Sequence, residues 1–278
     1  MRALGFDVGV GKGLDVVLLD TRLVPLHVSS RVHVTDVERV IRDLRPDVVA
    51  IDSPPRWASS GRSRRTEREL AALNISSFNT PSESHGAGNR FFAWMEVGFE
   101  VFARAADAGF PAYSAGNPRG RALEVFPHAT AVVLAGSLAP DGVRKHAWRR
   151  AVLRAQGVRT DELGSPDRVD AALAALTGLY ALQGRRFAPG DPREGVIVVP
   201  SAALPAVPYR RGPAPRRSEP LFSYCACGDP ACERLVRGEF APGHDAKRKA
   251  MLWSSARDGA AALEELRTRG WKVPPEMR

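Results

Sequence analysis

Apolar positions at the start of the chain come in short blocks set apart by glycine and charge. Residues 2 to 8 and 14 to 20, rich in Val, Leu and Phe, each read as a strand, with Gly9, Gly11 and Gly13 between them. A third run, Leu23 to Ser30, contains Pro25, which removes a ladder donor and so favours an edge strand or a bulge. Three strands joined by short turns make a β-meander. The period then becomes helical. After a Thr35 cap, Val37, Val40, Ile41 and Leu44 share one face, and the pattern stops before Pro46. An apolar run ending at Asp52 supplies the next strand, so the order is βββαβ.

Residues 56 to 90 are polar, basic and broken by Gly, Pro and Ser, with one helix predicted over Thr66 to Leu73; they read as a functional insertion beside the sheet. A helix follows from Arg90 to Ala108, and then a strand within Arg121 to Pro127. Helices are expected at 128–134, 144–155 and 166–183, the last with Ser165 as cap and Pro166 in its first turn, and Gly195 to Pro200 reads as a final strand. Residues 201–223 are dense in Pro and Arg and lack an apolar period, which predicts a semi-rigid linker. The expected organisation is therefore an α/β domain over 1–200, the linker, and a small module over 224–278 that ends in a helix from Ala246 to Arg269.

Composition adds a bias in charge. The 278 residues include 40 Lys and Arg against 31 Asp and Glu, a formal net charge of +9, with arginine far commoner than lysine. Such a surface suits polyanions, although a GC-rich coding sequence gives the same bias, so charge by itself identifies no substrate. Asp7 sits where a secretory apolar segment would run, and the longest apolar stretch, Ala171 to Leu182, is too short to cross a bilayer; a cytoplasmic location without membrane insertion is expected.

The glycine cluster fails two phosphate-loop templates. A dinucleotide fingerprint needs a helix after the turn, but a strand follows Gly13, and a Walker loop needs Ser or Thr after Gly-Lys, but Lys12 precedes Gly13. The phosphate hairpin of actin-like ATPases and sugar kinases stays open as an alternative. The acidic residues point elsewhere. Asp7, Asp52 and Glu124 fall at or within predicted strands, while Asp167 and Asp170 open a helix and share one face of it. Ala171, Ala172, Ala174 and Ala175 then leave that helix free to pack closely on a sheet. This set would suit two Mg²⁺ or Mn²⁺ ions roughly 3.5–4 Å apart, one activating a water and both stabilising a pentavalent phosphate transition state.

Basic residues follow the fourth strand. Arg62, Arg64, Arg65 and Arg68 would clamp phosphodiester oxygens beside such a site, or form a solvated helix face with Glu67 and Glu69. Lys12 at the glycine turn adds one charge contact, and His85 lies in a glycine-flanked stretch where proton transfer is conceivable. In the C-terminal module, Cys225, Cys227, Cys232 and His244 follow C-x-C-x₄-C-x₁₁-H, which supplies a tetrahedral zinc shell; three free thiols are the alternative. Lys247, Arg248 and Lys249 would touch nucleic acid or form an exposed helical turn.

With "GFDVG" on the first strand, "AIDSP" on the fourth, "EVFP" on the fifth and "DRVDAALAAL" on the last helix, residues 1 to about 200 resemble the family called domain of unknown function four-two-nine. "GRSRRTERELAAL" and "KHAWRRAVL" extend the match in order. The resemblance implies an RNase H-like fold with RuvC-type topology and a nuclease activity. It would make Asp7 the ligand bridging two metals, with Asp52 and Asp170 completing the shell and Asp167 as a fourth ligand or a supporting acid. Glu124 falls in the family's E-x-x-P motif, as a metal ligand or as the partner of Lys145 or an arginine. Lys145 and Arg149 match basic positions of the family. RuvC-type enzymes carry Glu on the fourth strand, where this chain has the shorter Asp52. The expected activity is two-metal hydrolysis of DNA or RNA phosphodiesters; an actin-like phosphotransferase and a non-catalytic nucleic-acid-binding protein are the alternatives.

Overall fold

The computed structural model describes residues 1–212, 223–229, 231–232, 235–236, 240–257, 259–273 and 275. Contacts divide the chain into two compact units, Met1–Ala214 and Pro215–Arg278.

The first unit is built on a seven-stranded sheet. β1 (Arg2–Asp7), β2 (Leu14–Asp20) and β3 (Pro25–Val32) form the antiparallel meander. After α1 (Val37–Leu44), β4 (Val48–Asp52) returns parallel to β1 on its other side. β5 (Ala122–Val125) and β7 (Gly195–Val198) continue the parallel half, and two-residue β6 (Gly190–Asp191) closes the edge, giving the order β3-β2-β1-β4-β5-β7-β6. The first five elements are the βββαβ order that the pattern predicts, and the sheet is mixed. β3 lies at the other edge, and its register slips at Pro25. The turn from β1 to β2 has Gly11 and Gly13 at φ of 79° and 78°, backbone that glycine adopts without strain.

Strand residues point alternately to the two faces, and both faces are buried. On one, Leu4, Phe6, Val16, Val49 and Ile51 pack with α1 and with α4 (Ala93–Asp107). On the other, Ala3, Val17, Leu19, Val48, Ala50, Leu123 and Val125 meet α5 (Pro127–Ala135), α6 (Lys145–Ala155) and α7 (Pro166–Leu182). α7 is buried along most of its length because Ala171, Ala172, Ala174, Ala175 and Gly178 keep its sheet-facing side flat. At Gly5 the approach is closest: a Cβ there would lie 2.0 Å from the Ala171 carbonyl oxygen and 2.5 Å from the Ala175 nitrogen. Helix and strand touch backbone to backbone.

The insertion between β4 and α4 contains α2 (Arg65–Ala72) and a single turn, α3 (Glu83–Gly86). Thr66 and Glu69 of α2 accept from the nitrogens of Ile197 and Gly190 at 3.2 and 2.9 Å, and a buried arginine fastens the insertion to β5. Arg64, 1% exposed, donates from Nη1 and Nη2 to Glu124 Oε2 and Oε1 at 2.7 and 2.5 Å, and from Nε to Glu67 Oε1 at 2.9 Å. Glu67 also accepts from the main-chain nitrogens of Arg64 and Thr80, each at 2.9 Å, and from the Thr80 hydroxyl at 2.5 Å.

Residues 201–212 of the expected linker are docked on the first unit. Tyr209 donates to the Leu73 carbonyl at 3.1 Å, Leu138 to that of Arg210 at 2.8 Å, and Gly212 to that of Leu138 at 2.9 Å. The boundary between compact units, at 214/215, falls within the expected 201–223 linker, of which residues 213–222 lie outside the described residues.

In the second unit, β8 (Ser223–Tyr224) pairs with β9 (Leu235–Val236). The single C-terminal helix expected from 246 to 269 is instead two, α8 (His244–Ser255) and α9 (Ala260–Thr268), with Gly259 capping the second. Leu252 and Ala256 from one and Leu266 from the other share a small core with Trp271, so the apolar side of each helix is satisfied by the other. Among the described residues, no helix is long and apolar enough to cross a membrane.

Replacing Gly5 by Ala forces backbone apart at the α7–β1 contact, and the expected cost is about 3 kcal/mol. Urea denaturation of Gly5→Ala against the parent measures it; an unchanged midpoint would remove this contact from the account.

Candidate functional site

The strand parity that builds the two cores also decides which acids meet. Ala3, Gly5 and Asp7 alternate onto the α7 face of β1, as do Val48, Ala50 and Asp52 on β4 and Asp15, Val17 and Leu19 on β2. The register places Asp7 opposite Asp52 on one side and opposite Asp15 on the other. Adjacent strands are about 4.8 Å apart, so three carboxylates stand abreast at one end of the sheet. Above them comes the first turn of α7. Ser165 caps it by accepting from the Arg168 nitrogen at 3.1 Å, Pro166 occupies the first position, and Asp167 and Asp170 follow. The flat contact at Gly5 brings these two acids down to Asp7. Oxygens of Asp7, Asp15 and Asp167 lie within 4.8 Å of one another.

Asp15 is a member that the sequence reading missed. Its signal is a charge inside "LDVVLLD", a strand buried throughout; its face, however, depends on the β1–β2 register. Asp15 is 6% exposed, accepts from the Ser30 hydroxyl and lies 3.9 Å from Arg168 Nε.

Burial dominates the electrostatics. It pushes the Asp7 carboxyl up to about 8, with Asp170 and Asp167 adding repulsion and Lys12 opposing it. Asp52 is pushed well above the ordinary carboxylate range by burial, then by Asp7 and Asp170, against Arg149. Burial also raises Asp170, while its ion pair with Arg149 pulls the other way. Lys12 is raised by its hydrogen bond to Asp167. Half-exposed Lys12 and largely buried Arg149 therefore offset part of the repulsion. Three buried polar atoms have no hydrogen-bond partner among the described residues: Asp170 Oδ1, Arg149 Nε and His128 Nδ1. Hard carboxylate oxygens, one of them unpartnered, and an acid held protonated in the absence of a cation fit Mg²⁺ or Mn²⁺.

A cavity of about 440 Å³ opens here, with Asp52, Asp170 and Arg149 in its lining together with Phe78, Phe91 and Trp94. Glu124 also borders it but belongs to a different assembly. On β5, Leu123 and Val125 take the α7 face, so Glu124 points to the opposite one, and both its oxygens are held by Arg64. It holds an arginine rather than adding a ligand to the carboxylate row.

The structure separates the predicted basic residues. Arg149 is at the acids and Lys12 bridges to them through Asp167. Lys145, exposed at the start of α6, lies near His128, which burial, Arg149 and Lys145 together bring down to about 4. Arg65 pairs with Glu69 at 2.6 Å, and Arg68 donates to the Ser63 carbonyl at 2.6 Å; both border a separate depression with Asp191 and Glu194, away from the carboxylates. Arg62 lines another cavity with His85, whose Nδ1 is 2.8 Å from the Ser82 hydroxyl. The inward-facing arginine of this segment is Arg64.

In the second unit the metal-ligating atoms of Cys225, Cys227, Cys232 and His244 all lie within 4.8 Å of one another. His244 Nδ1 is 3.6 Å from Cys225 Sγ and 3.4 Å from Cys232 Sγ, and the Ala241 nitrogen donates to Cys225 Sγ at 3.2 Å. Three soft sulfurs and one imidazole, converging in a core of only a few apolar residues, fit a tetrahedral zinc ion. Lys247 is paired with Asp229, and Arg248 with Glu265 at 2.7 Å.

No curated protein matches the chain. Among solved structures it is similar to RuvC of Thermus thermophilus, at 16% identity and a TM-score of 0.37 over 66% of this chain and 97% of that one. It is likewise similar to T. thermophilus RuvC in complex with a Holliday junction substrate, at 21% identity and a TM-score of 0.38 over 66% and 96%. The profile of the family described as protein of unknown function DUF429 matches residues 5–194, which span the sheet from β1 to β6 and the carboxylate row, and the chain belongs to this family.

Proposed function

We propose that the chain is a divalent-metal-dependent nuclease, with the C-terminal module folded around zinc. The observation that supports this most is the row Asp15-Asp7-Asp52 under Asp167 and Asp170, with one buried Asp170 oxygen unpartnered. Asp7, Asp52 and Asp170 would hold Mg²⁺ or Mn²⁺, with Asp15 and Asp167 alongside. The ions would supply Lewis acidity and an ionisable water beside the scissile phosphate.

The rest is done by the chain itself. Arg149, paired with Asp170 and bordering the cavity, is placed to turn its guanidinium to a phosphate oxygen when the acids are otherwise neutralised. Lys12, on the glycine turn at the same edge, is placed to make the same exchange from Asp167. Gly11 and Gly13, on either side of Lys12, add no side-chain bulk there, so a polyanionic backbone can come close to the lysine. Arg64 and Glu124 act earlier in the chain of causes: they pin the insertion that forms the far side of the cavity.

Labelled single- and double-stranded DNA and RNA, incubated with the protein in Mg²⁺, Mn²⁺ or EDTA, test the activity. Cleavage is expected only with metal, and Asp7→Asn is expected to lower it about 10³-fold, the loss of several kcal/mol of charge stabilisation. Metal-independent cleavage, or full activity in Asp7→Asn, would contradict the reading. Elemental analysis of the purified chain tests the module: one zinc per chain is expected, falling sharply in Cys227→Ser, and a ratio near zero would sink the zinc assignment.

A further inference from the structure

The carboxylate cavity has a feature that phosphate chemistry leaves unused. Phe78 and Phe91 are 63% and 60% exposed, although aromatic rings of this size normally bury most of their surface. Their rings stand edge to face 5.9 Å apart, and Trp94 is 6.0 Å from Phe78. All three line the same cavity as Asp52, Asp170 and Arg149. The exposure is held in place from behind: Phe91 rests on Phe92 at 4.9 Å, Phe92 on Trp57 at 6.4 Å, and Trp57 on Phe99 of α4 at 4.8 Å. Asn89 caps the turn that presents Phe91, accepting from its nitrogen at 3.0 Å. These rings are a supported platform and not loop ends left in solvent.

The ligand that matches such a cavity carries flat π-faces and anionic links in alternation. Phe91 is shared with the neighbouring cavity, whose lining includes Arg62 and His85. A ring wall thus has a guanidinium on one side and, on the other, the acids with Arg149. An apolar peptide would cover the rings but offer no anion to Arg62, or to Arg149 in exchange for Asp170. A nucleic-acid strand supplies bases for the rings and phosphates for the cations. Only unpaired bases offer their faces, because in a duplex the faces are stacked on one another.

We propose that Phe78, Phe91 and Trp94 stack unpaired bases, so that the substrate is single-stranded, or locally unpaired, at the position presented to the carboxylates. This rests on the nuclease reading of those carboxylates, but its test does not need cleavage. The zinc-loaded full chain, with no Mg²⁺ or Mn²⁺ added, is titrated against fluorescent oligothymidine and a blunt duplex of equal length, at one fixed salt concentration. The expected result is at least tenfold tighter binding of oligothymidine. Replacing each ring removes about tenfold, so Phe78→Ala/Phe91→Ala loses about 100-fold for oligothymidine and little for duplex. Phe78→Trp retains binding. Both residues are largely exposed, so the variants fold, as circular dichroism will report, and the single replacements give the same direction. Equal affinity for the two forms, or unchanged affinity in the double variant, would overturn the proposal. A dimer of the parent chain that the double variant dissociates would also overturn it, by showing that a second copy covers the rings. If base stacking is observed and no metal condition gives cleavage, the nuclease reading fails alone; cleavage without ring dependence would remove the stacking platform alone.

Discussion

Repulsion among desolvated carboxylates is the constraint around which the first unit is arranged. Two unit charges about 5 Å apart interact by about 3 kcal/mol at an effective dielectric constant of about 20, and Asp7 faces several such neighbours at once. The chain meets this by three routes. Lys12 and Arg149 supply positive charge from a turn and a helix, and Asp7 is pushed high enough to keep a proton near neutrality. The third route is a hard dication, which offsets more than one carboxylate at a time. The close approach of α7, made by the glycine at position 5 and the alanines of the helix, adds Asp167 and Asp170 to acids that the strand register already sets side by side.

A second buried charge is handled differently. Arg64 is fully paired by Glu124 and Glu67 within a network that also satisfies Thr80, so its burial is compensated on all sides. The two assemblies lie on opposite faces of neighbouring strands. One is complete and holds the insertion; the other is left with an unpartnered oxygen. That asymmetry separates a structural ion pair from a site open to a ligand.

Much of this was legible in the chain because it is local. The meander, the Pro25 edge, the helix beginning at Pro166 and its small-residue face are all written in short-range patterns, and the first elements follow one another in the predicted order βββαβ. What escaped depends on partners far away in sequence. Asp15 joins Asp7 through hairpin register, and Glu124 leaves the row because β5 presents it on the other face. The sequence groups Arg64 with Arg62, Arg65 and Arg68, but a carboxylate 60 residues away decides that Arg64 turns inward while Arg68 stays at the surface. The break between α8 and α9 likewise follows from each helix needing the other's apolar side, a requirement that periodicity alone does not express.

The central claim is that the acids around Asp7 exist to bind divalent cations. Mn²⁺ titration of the zinc-loaded full chain, followed by electron paramagnetic resonance of free Mn²⁺, tests it without any assumption about substrate. The account predicts uptake of two Mn²⁺ per chain in the parent and its loss in Asp7→Asn. Absence of uptake at millimolar Mn²⁺, or equal uptake by Asp7→Asn, would contradict it.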